Sequence, residues 1–250
     1  MHTKISLMKD LENMGLKPTD TVMIHSSIKA VGEVEGRGET ILDAMMEYFK
    51  DGLLLLPTLT WTLTRYSPLL YDVKNSVPCI GTLPRLFLER ENVYRTWHPT
   101  HSLAAYGKDA EAFVAGDEKC DSPVNINSAW HRILDRNGKI LQLGCTLTSC
   151  TFIHGIEEWC NIPNRLGTMR TFEVITPDGS SITVKTRPHG GRSSSMTYPR
   201  IEDRLINEGV LTFGKFGDAK VYVMEARRLF AATSAALKEN PDLFEGPERK

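Results

Sequence analysis

The first quarter of the chain alternates short apolar strands with an amphipathic helix, and this order constrains the fold more than any other feature. Residues 21–24 (TVMI) predict a short buried strand, residues 39–49 an amphipathic helix, and residues 53–56 (LLLL), ended by Pro57, a second strand. A polar, glycine-rich loop, HSSIKAVGEVEGRG, separates the first strand from the helix. This order is typical of α/β folds, in which successive strands run parallel. We therefore predict an α/β fold with a partly parallel sheet.

The rest of the chain adds helices and strands without a repeat, a low-complexity tract or an obvious linker. Apolar spacing predicts helices at 4–14, 81–91, 109–115, 151–159, about 200–207 and 225–237, and strands at 103–106, 139–143 and 220–224. Residues 58–80 show no clear period and are predicted as a loop. Alternating residues at 170–175 and 181–186 flank a Pro-Asp-Gly turn, which indicates a hairpin. The prediction is a single compact domain over residues 1–250, with a mixed sheet flanked by helices and a peripheral antiparallel extension near the C-terminus.

Composition argues against several classes of function. The 30 Lys and Arg residues nearly balance the 31 Asp and Glu residues, so no basic field exists to attract nucleic acid or an anionic membrane. Charges interrupt the N-terminal segment, and the longest apolar run is far shorter than the ~18 residues of a membrane span. The five cysteines lack a CxxC pair and are interpreted as reduced thiols. We expect a cytoplasmic protein that binds neither nucleic acid nor membrane; no sequence feature specifies an oligomeric state.

The loop after the first strand is the first of three segments with side chains suited to chemistry. It begins with His25, Ser26 and Ser27 and continues to the glycines at 36 and 38. Hydroxyls, glycines and the N-terminal amides of the next helix are suited to phosphate oxygens. The loop matches neither the GxGxxG nor the P-loop pattern, so a glycine turn before a capped helix is the alternative interpretation.

The second segment is RTWHPTHS at 95–102, in which His98 and His101 lie three residues apart. Imidazoles are costly to bury unless they are paired. Histidine serves in catalysis, ligand contact and metal binding, so all three roles stay open here, as does a solvated loop with incidental histidines.

The third segment is the predicted helix at 151–159. On a helix, His154 and Glu157 are i, i+3 neighbours and share a face. A carboxylate beside an imidazole raises its basicity and fixes its tautomer, as a general base requires. Glu158, at i+4, is also within reach, and a surface His–Glu pair is the alternative interpretation.

Metal binding is a second possible chemistry for these segments. A metal-dependent hydrolase could be built on His98, His101 and His154, with Glu157 as a further ligand. No stretch has HExxH or paired CxxC spacing. A Cys–His hydrolase using Cys150 also stays open, although nothing in the sequence marks a nucleophile elbow or a low-pKa cysteine site. Residue chemistry alone therefore predicts a small-molecule site without naming its reaction.

Five stretches, taken together and in order, resemble the aminoglycoside 3-N-acetyltransferase family. They are HSSIKAVGEVEGRG, LLLLPTLT, IGTLPRLFL, RTWHPTHSLAAYG and SCTFIHGIE. The resemblance runs from about residue 5 to residue 165 and continues more loosely to the C-terminus. It implies an acetyl-CoA-dependent N-acetyltransferase that modifies an amine of an aminoglycoside-like or other small molecule, and hence an enzyme of the antibiotic-resistance type.

The resemblance also implies roles for particular residues. His154 would be the general base and Glu157 its orienting partner. Contacts to coenzyme A, including two hydroxyls near the thioester, would come from His25, Ser26, Ser27, Gly36, Arg37, Gly38, Thr100 and Ser102. The acceptor amine would be bound by His98, His101 and Asp72. No metal ion is expected, and the acetyl group would pass directly to the amine in a ternary complex.

Two stretches depart from the family pattern. Members that modify aminoglycosides tend to carry acidic residues after the L-P-T strand and before the C-terminal helices, since a polycationic sugar needs carboxylates around it. Here these stretches read TLTRYS at 62–67 and KTRPHGGR at 185–192, and Asp72 is the acid nearest to the first. A smaller or anionic amine is therefore an alternative acceptor, and a non-catalytic CoA-binding protein is an alternative function.

Overall fold

Two β-sheets form the fold, and helices cover both faces of the larger one. The computed structural model describes residues 1–190 and 194–246. Its strands are β1 (Thr21–Ser26), β2 (Leu53–Pro57), β3 (Leu70–Asp72), β4 (Tyr94–Arg95), β5 (Leu103–Gly107), β6 (Lys139–Leu143), β7 (Arg170–Ile175), β8 (Ser181–Thr186), β9 (Leu211–Phe216) and β10 (Ala219–Glu225). Its helices are α1 (Lys4–Asn13), α2 (Arg37–Tyr48), α3 (Leu83–Leu88), α4 (Ala110–Val114), α5 (Ala129–Asp135), α6 (Thr151–Trp159), α7 (Glu202–Asn207) and α8 (Ala226–Glu239).

Parallel strands form the centre of the larger sheet. Its seven strands follow the order β4-β5-β2-β1-β6-β10-β9. β1 pairs in parallel with both β2 and β6, whereas β5 and β10 run antiparallel on either side of these three. The prediction of a mixed, partly parallel sheet flanked by helices is thus confirmed. Because β1, β2 and β6 run in the same direction, the loops that follow them meet at one edge of the sheet.

The central strands are buried on both faces, which explains their unbroken apolar sequences. Val22, Met23 and Ile24 of β1 have no exposed surface, and every residue of β2 is buried. Met23 packs in the core that contains residues of α5, α6 and α8, while Val22 and Ile24 pack in the core that contains residues of α1 and α2. Parallel strands enclosed in this way read as continuous hydrophobic runs. Each fully buried side chain of this kind contributes about 1.5–3 kcal/mol.

The smaller sheet, in the order β3-β7-β8, forms the peripheral extension. β7 and β8 make an antiparallel hairpin at the predicted bounds. The sequence does not predict β3, which pairs in parallel with β7. Tyr71 of β3 packs with Phe172, Val174 and Val184 in a small apolar core. This core ties the segment after β2 to the hairpin.

Several other elements differ from the expectation. Residues 58–80, predicted as a loop, contain β3 and a 3-10 turn at Trp61–Arg65. A second 3-10 turn, Ser195–Ile201, precedes α7 and includes the first two residues of the helix predicted at about 200–207. The sequence also fails to indicate α5 and the edge strands β4 and β9, because edge strands pair on one side only and carry a weak apolar pattern. Gly214 in the middle of β9 weakens that pattern further.

The longest helix among the described residues is α8, with 14 residues. At 1.5 Å per residue it falls well short of the ~30 Å hydrocarbon thickness of a bilayer. No helix in the described part of the chain is long and apolar enough to cross a membrane.

Candidate active site

A cleft of about 540 Å³ opens where the three parallel strands end. β1 contributes His25 and Ser26, β2 contributes Pro57, and the loop after β6 contributes Thr148 and Ser149. The other lining residues are Ile24 of β1 and residues of several further segments: Leu59, Trp61, Thr64, Arg65, Ile80, Gly81, Pro84, His101, Thr151, His154, Pro188, His189 and Ser195. Ligands of α/β folds bind at this edge of the sheet, and the volume lies within the range of small-molecule sites.

Helix α6 places His154 in the wall of this cleft. The bounds of the helix match the sequence prediction. Phe152 and Ile156 are fully buried in the larger core, whereas Thr151 and His154 border the cleft. The apolar face therefore anchors the helix and fixes the position of the imidazole.

Glu157 is a buried carboxylate one helical turn from His154. Its side chain is 1% exposed, and its Oε1 lies 2.6 Å from Nε of Arg165. Burial raises the pKa of Glu157, but the nearby imidazole of His154, the hydroxyl of Tyr198 and the charge of Arg165 outweigh it, so the pKa lies below its ordinary value. Glu157 Oε2 is 3.6 Å from His154 Nδ1, which is too long for a good hydrogen bond. The predicted pair is thus adjacent but not directly bonded.

Tyr198 bridges the two residues, and we call Glu157, Tyr198 and His154 the relay. The Tyr198 hydroxyl lies 2.7 Å from Glu157 Oε2 and 2.5 Å from His154 Nδ1. A phenol has a single proton, and Tyr198 donates it to the carboxylate. The phenol oxygen then accepts from Nδ1–H, which makes Nε2 the unprotonated nitrogen of a neutral His154. Such a ring is set to take up a proton at Nε2.

The backbone of residues 241–246 supports the relay. Arg165, the ion-pair partner of the relay carboxylate, donates to the carbonyl of Pro241. Thr197, in the 3-10 turn that contains the relay tyrosine, donates to the carbonyl of Phe244 at 2.8 Å. Both acceptors are main-chain carbonyls. One stretch of chain therefore fixes two separate parts of the site.

The loop between β4 and β5, which carries His98 and His101, is buried rather than solvated. Arg95 anchors it by donating to carbonyls of two neighbouring loops. His98 is 1% exposed, its Nε2 lies 3.0 Å from Thr186 Oγ1, and its Nδ1 accepts from the amide of His101 at 3.2 Å. Burial lowers the pKa of His98 to about 3. With both nitrogens bonded inside the fold, His98 holds the loop and does not line the cleft.

Thr100 and Ser102 also lie inside the loop instead of on the cleft surface. Both are fully buried. Ser102 Oγ donates to the carbonyl of Thr58 at 2.7 Å, and Thr100 Oγ1 lies 3.0 Å from Nδ1 of His101. These contacts give both hydroxyls a role in positioning the loop and His101. Their predicted place near a thioester stays a prediction.

His101 reaches from this loop into a group of three imidazoles that border the cleft. Its ring centroid lies 4.7 Å from that of His189, which lies 4.2 Å from that of His154. Burial and the neighbouring imidazoles of His154 and His98 lower the pKa of His101 well below its ordinary value. His101 is therefore neutral at pH 7 and presents an uncharged ring beside His154.

His25 and Ser26, at the end of β1, both line the cleft. The His25 ring stacks against Trp130 with 6.2 Å between centroids, and burial lowers its pKa to about 3. Its buried Nε2 has no hydrogen-bond partner among the described residues. A buried polar atom of this kind at a cleft is suited to a ligand group. Ser27 does not line the cleft, and its amide donates to the carbonyl of Leu143.

Gly36, Arg37 and Gly38 border a separate groove of about 670 Å³ at the start of α2. Gly36 adopts a φ of 71°, in the left-handed region that favours glycine. A Cβ at Gly38 would lie 2.7 Å from Leu86 Cδ1, so a larger residue there would require the Leu86 side chain to move. Five of the eight predicted coenzyme A contacts thus lie on two surfaces, two in the cleft and three in this groove, which residues 25–38 connect along the chain; Ser27, Thr100 and Ser102 line neither.

Asp72 closes its own loop and does not line the cleft. Its Oδ1 accepts from the amides of Lys74 and Asn75, each at 2.9 Å, and its Oδ2 accepts from the Asn75 side chain. Burial raises the pKa of Asp72, but these hydrogen bonds outweigh it and hold the pKa below its ordinary value. The predicted contact of Asp72 with an acceptor stays a prediction.

The alternatives based on metal ions and on a cysteine nucleophile gain no support from the site. Within residues 1–190 and 194–246, no group of three or more His, Cys, Asp or Glu side chains is arranged to hold a metal ion. Cys150 is fully buried, and burial raises its pKa to about 12. A thiol with such a pKa is protonated at pH 7 and is a poor nucleophile.

Comparison with known proteins decides the family. Residues 23–238 match the family model of the aminoglycoside 3-N-acetyltransferases. The chain belongs to this family. Aminoglycoside N(3)-acetyltransferase III of Serratia marcescens is 29% identical over 196 residues, which cover 72% of each chain. The resemblance seen in the five motifs is thus confirmed, and with it the enzyme class of N-acetyltransferase.

Solved structures of the family share the fold. Aminoglycoside acetyltransferase AAC(3)-IIb is 25% identical, with a TM-score of 0.81 and 99% of both chains covered. AAC-IIIb, solved as a binary complex with CoASH, is 22% identical, with a TM-score of 0.82 and 99% of both chains covered. These values confirm the predicted α/β fold over nearly its whole length.

The sequence analysis does not predict three residues of the site: Tyr198, Arg165 and His189. Tyr198 lies 44 residues from His154, in a short stretch without a helical period. Arg165 lies eight residues after Glu157, beyond the end of the helix, so no i, i+4 rule connects them. His189 belongs to the stretch at 185–192 that departs from the family pattern, of which Gly191 and Arg192 lie outside the described residues.

Proposed function

We propose that this protein transfers the acetyl group of acetyl-CoA directly to an amine of a small-molecule acceptor, with His154 as the general base. The observation that carries the proposal is the relay, in which Tyr198 fixes the tautomer of His154 in the wall of a cleft. Membership of a family of N-acetyltransferases supplies the reaction class. Glu157 acts on His154 through Tyr198 as a positioning residue.

The acceptor ammonium first loses one proton to solvent. As the neutral nitrogen attacks the thioester carbonyl carbon, His154 Nε2 takes a second proton from it, and the new C–N bond forms. When the C–S bond breaks, His154 returns this proton to the sulfur, so the products are an acetamide and the free thiol of CoA. A general base of this kind contributes about 10²–10⁴ in rate.

Direct transfer, without an acetyl-cysteine, is supported by the state of the thiols near the site. Burial raises the pKa of Cys145 to about 11 and that of Cys150 to about 12. Neither thiol is ionised at pH 7. Mass spectrometry of enzyme quenched during turnover is expected to show no added acetyl group, and a covalently acetylated cysteine would contradict the direct route.

Hydroxyl groups of the cleft wall are suited to the oxyanion that develops on the thioester carbonyl. Thr151 precedes His154 by one turn of α6, and Ser149 lies just before the helix; both line the cleft. We assign oxyanion stabilisation to these hydroxyls rather than to Thr100 and Ser102, which do not line it. Loss of one such donor typically costs about 10²–10³ in kcat.

We place the thioester end of acetyl-CoA in the cleft, beside His25 and Ser26. The buried Nε2 of His25, without a partner among the described residues, supports this assignment. We place the phosphates of acetyl-CoA toward the groove at the start of α2, where Arg37 and helix N-terminal amides are suited to anions. The binary complex of AAC-IIIb with CoASH supports acetyl-CoA as the co-substrate.

Aminoglycosides are the first acceptors to test, because the matched relatives bear their name. Acetylation of an aminoglycoside would correspond to a role in antibiotic resistance. We place the reaction in the cytoplasm, where acetyl-CoA is available. We treat residues 1–250 as a single domain, since the cleft takes residues from 24 to 195.

The test is a thiol-release assay with acetyl-CoA and a panel of amines, comparing the wild type with His154→Ala. The expected result is amine-dependent release that His154→Ala lowers by at least about 10²-fold. His131→Ala is the matched control, because His131 pairs with Asp135 on α5 and does not line the cleft. Binding of acetyl-CoA without acetylation of any amine would instead support the non-catalytic alternative, and an unchanged rate in His154→Ala would remove the base from the proposal.

A further inference from the structure

The described residues that line the cleft include no carboxylate and no lysine. Arg65 supplies the one permanent charge among them, and the other titratable groups are four histidines. An aminoglycoside carries several ammonium groups, of which a single one reacts in each turnover. Every further ammonium that enters the cleft must lose water without gaining a carboxylate partner among the described lining residues, which is costly. The composition of the cleft therefore disfavours a polycationic acceptor.

Two largely buried carboxylates, Glu157 and Glu158, lie beside histidines of the cleft wall and have partners within the fold. Glu157 is 1% exposed and binds Arg165 and Tyr198. The side chain of Glu158 is 12% exposed; its Oε1 accepts a hydrogen bond from Ser122, and its Oε2 lies behind the cleft wall, 3.8 Å from Nε2 of His189. Neither side chain lines the cleft. No carboxylate among the described residues is thus placed to neutralise a second ammonium of the acceptor.

Arg65 differs from these largely buried carboxylates, because its guanidinium is positively charged and exposed at the cleft. It ends the 3-10 turn Trp61–Arg65, and its guanidinium carbon lies 5.3 Å from the centroid of the Trp61 ring. Within the described residues it makes no hydrogen bond and no ion pair. Arg170 donates to the carbonyl of Thr64 at 2.9 Å and so fixes the turn to the smaller sheet. The result is a cation held on an aromatic ring, with its hydrogen-bonding edge available.

We propose that the acceptor is an amine that also carries a carboxylate or phosphate group, and that Arg65 binds this anion. A guanidinium pairs with either group through two parallel hydrogen bonds, and stacking on Trp61 pre-orients it. The amine of such a molecule then lies toward His154, and its net charge no longer requires carboxylates in the cleft. This assignment rests on the proposed acetyl transfer and specifies its acceptor.

The phosphates of CoA are a second source of anions for the same guanidinium. Steady-state kinetics separate the two sources, because each substrate has its own KM. Arg65→Gln is expected to raise the KM of an anionic acceptor by about 10–100-fold, the usual range for a charge-assisted hydrogen bond, and to leave the KM of acetyl-CoA unchanged. A rise confined to the KM of acetyl-CoA would assign Arg65 to the co-substrate and overturn the proposal.

The acceptor class is tested with pairs of amines that differ in the anion alone. The pairs are 4-aminobutyrate with butylamine, and glucosamine 6-phosphate with glucosamine; sisomicin represents the aminoglycosides. The wild type is expected to prefer the anionic member of at least one pair by about tenfold or more in kcat/KM, and Arg65→Gln to abolish that preference. Arg136→Gln is the matched control, because Arg136 lies 5.0 Å from the centroid of the Phe113 ring and does not line the cleft.

Equal rates within both pairs, or sisomicin as the best substrate, would overturn the assignment of the acceptor and leave the base untouched. Failure of the underlying reaction has a different signature. In that case His154→Ala and the wild type release thiol at the same rate with every amine, whatever its charge.

Discussion

Removal of one oxygen atom from the relay tests its role in catalysis. Tyr198→Phe keeps the aromatic ring, which is fully buried and packs edge-on against Phe244 at 4.9 Å between centroids. Glu157 Oε2 loses a donor at 2.7 Å and His154 Nδ1 loses an acceptor at 2.5 Å. The two remaining groups are then 3.6 Å apart, with no hydroxyl between them.

The size of the effect follows from these contacts. A hydrogen bond to a charged group contributes about 1.5–3 kcal/mol, so we expect the free energy of unfolding to fall by about 2 kcal/mol, while Arg165 keeps Glu157 Oε1 paired. Loss of this acceptor removes the contact with Tyr198 that favours the Nδ1–H tautomer of His154. We expect kcat to fall by about 10²-fold, the lower part of the range for general bases, because a direct contact between His154 and Glu157 restores part of the orientation.

The assay is thiol release at saturating acetyl-CoA, together with urea unfolding of the same samples. Tyr222→Phe is the matched control, since Tyr222 donates to Glu202 at 2.8 Å and its hydroxyl belongs to no part of the relay. The KM of acetyl-CoA is expected to stay within about twofold of the wild type if the variant affects only the chemical step. A variant that unfolds more easily but retains the wild-type kcat would show that Tyr198 merely supports the fold and would refute the relay.

Three further predictions concern stability and thiol reactivity. Burial lowers the pKa of His98 to about 3, so the unfolded chain takes up the proton first and stability is lost as the pH falls from about 6.5 toward 3. Between pH 7 and pH 5, His98→Gln should therefore lose about 2 kcal/mol less than the wild type in urea unfolding, and equal losses would contradict this. Asp117→Ala removes the acceptor of the Ala129 amide at 2.8 Å and of Arg132 at 2.6 Å. We expect the free energy of unfolding to fall by about 2–4 kcal/mol in thermal or urea unfolding. A fall of less than about 1 kcal/mol would contradict the role of the buried Asp117–Arg132 pair in stability. Cys150 should resist iodoacetamide at pH 8 in the native protein and react in urea, as peptide mass spectrometry can show, and rapid native labelling would contradict its burial.

The elements that the sequence predicts well are those whose pattern is local. Helix α6 and the β7–β8 hairpin have their predicted bounds, because a helical apolar face and a Pro-Asp-Gly turn are properties of a few consecutive residues. Helical spacing also places His154 and Glu157 side by side. Local spacing does not show that the hydroxyl of Tyr198 lies between them, since that contact depends on the path of the chain over the intervening residues.

The loop at 95–102 is a second case in which local sequence does not show contacts with distant segments. Its polar sequence is compatible with a solvated loop, yet Arg95 and His98 are almost completely buried. Their hydrogen-bond partners come from the segments after β2 and β3 and from the end of β8, and the sequence does not show that these segments meet. A polar sequence alone therefore predicts a surface loop wrongly where distant segments supply enough hydrogen-bond partners to bury it.

The stretch at 241–246 supports the site through main-chain carbonyls, which residues of every type provide. A scan of single substitutions there would leave the main-chain acceptors of Arg165 and Thr197 in place, but we expect it to record Phe244 as sensitive, because its side chain is fully buried and packs against Tyr198. A deletion or insertion of one residue would move both acceptors at once. The stretch thus combines a strict requirement for the number of its residues, and for the buried ring of Phe244, with freedom in the identity of the exposed residues 241 and 242, so that related chains can diverge at those two positions while keeping the same length.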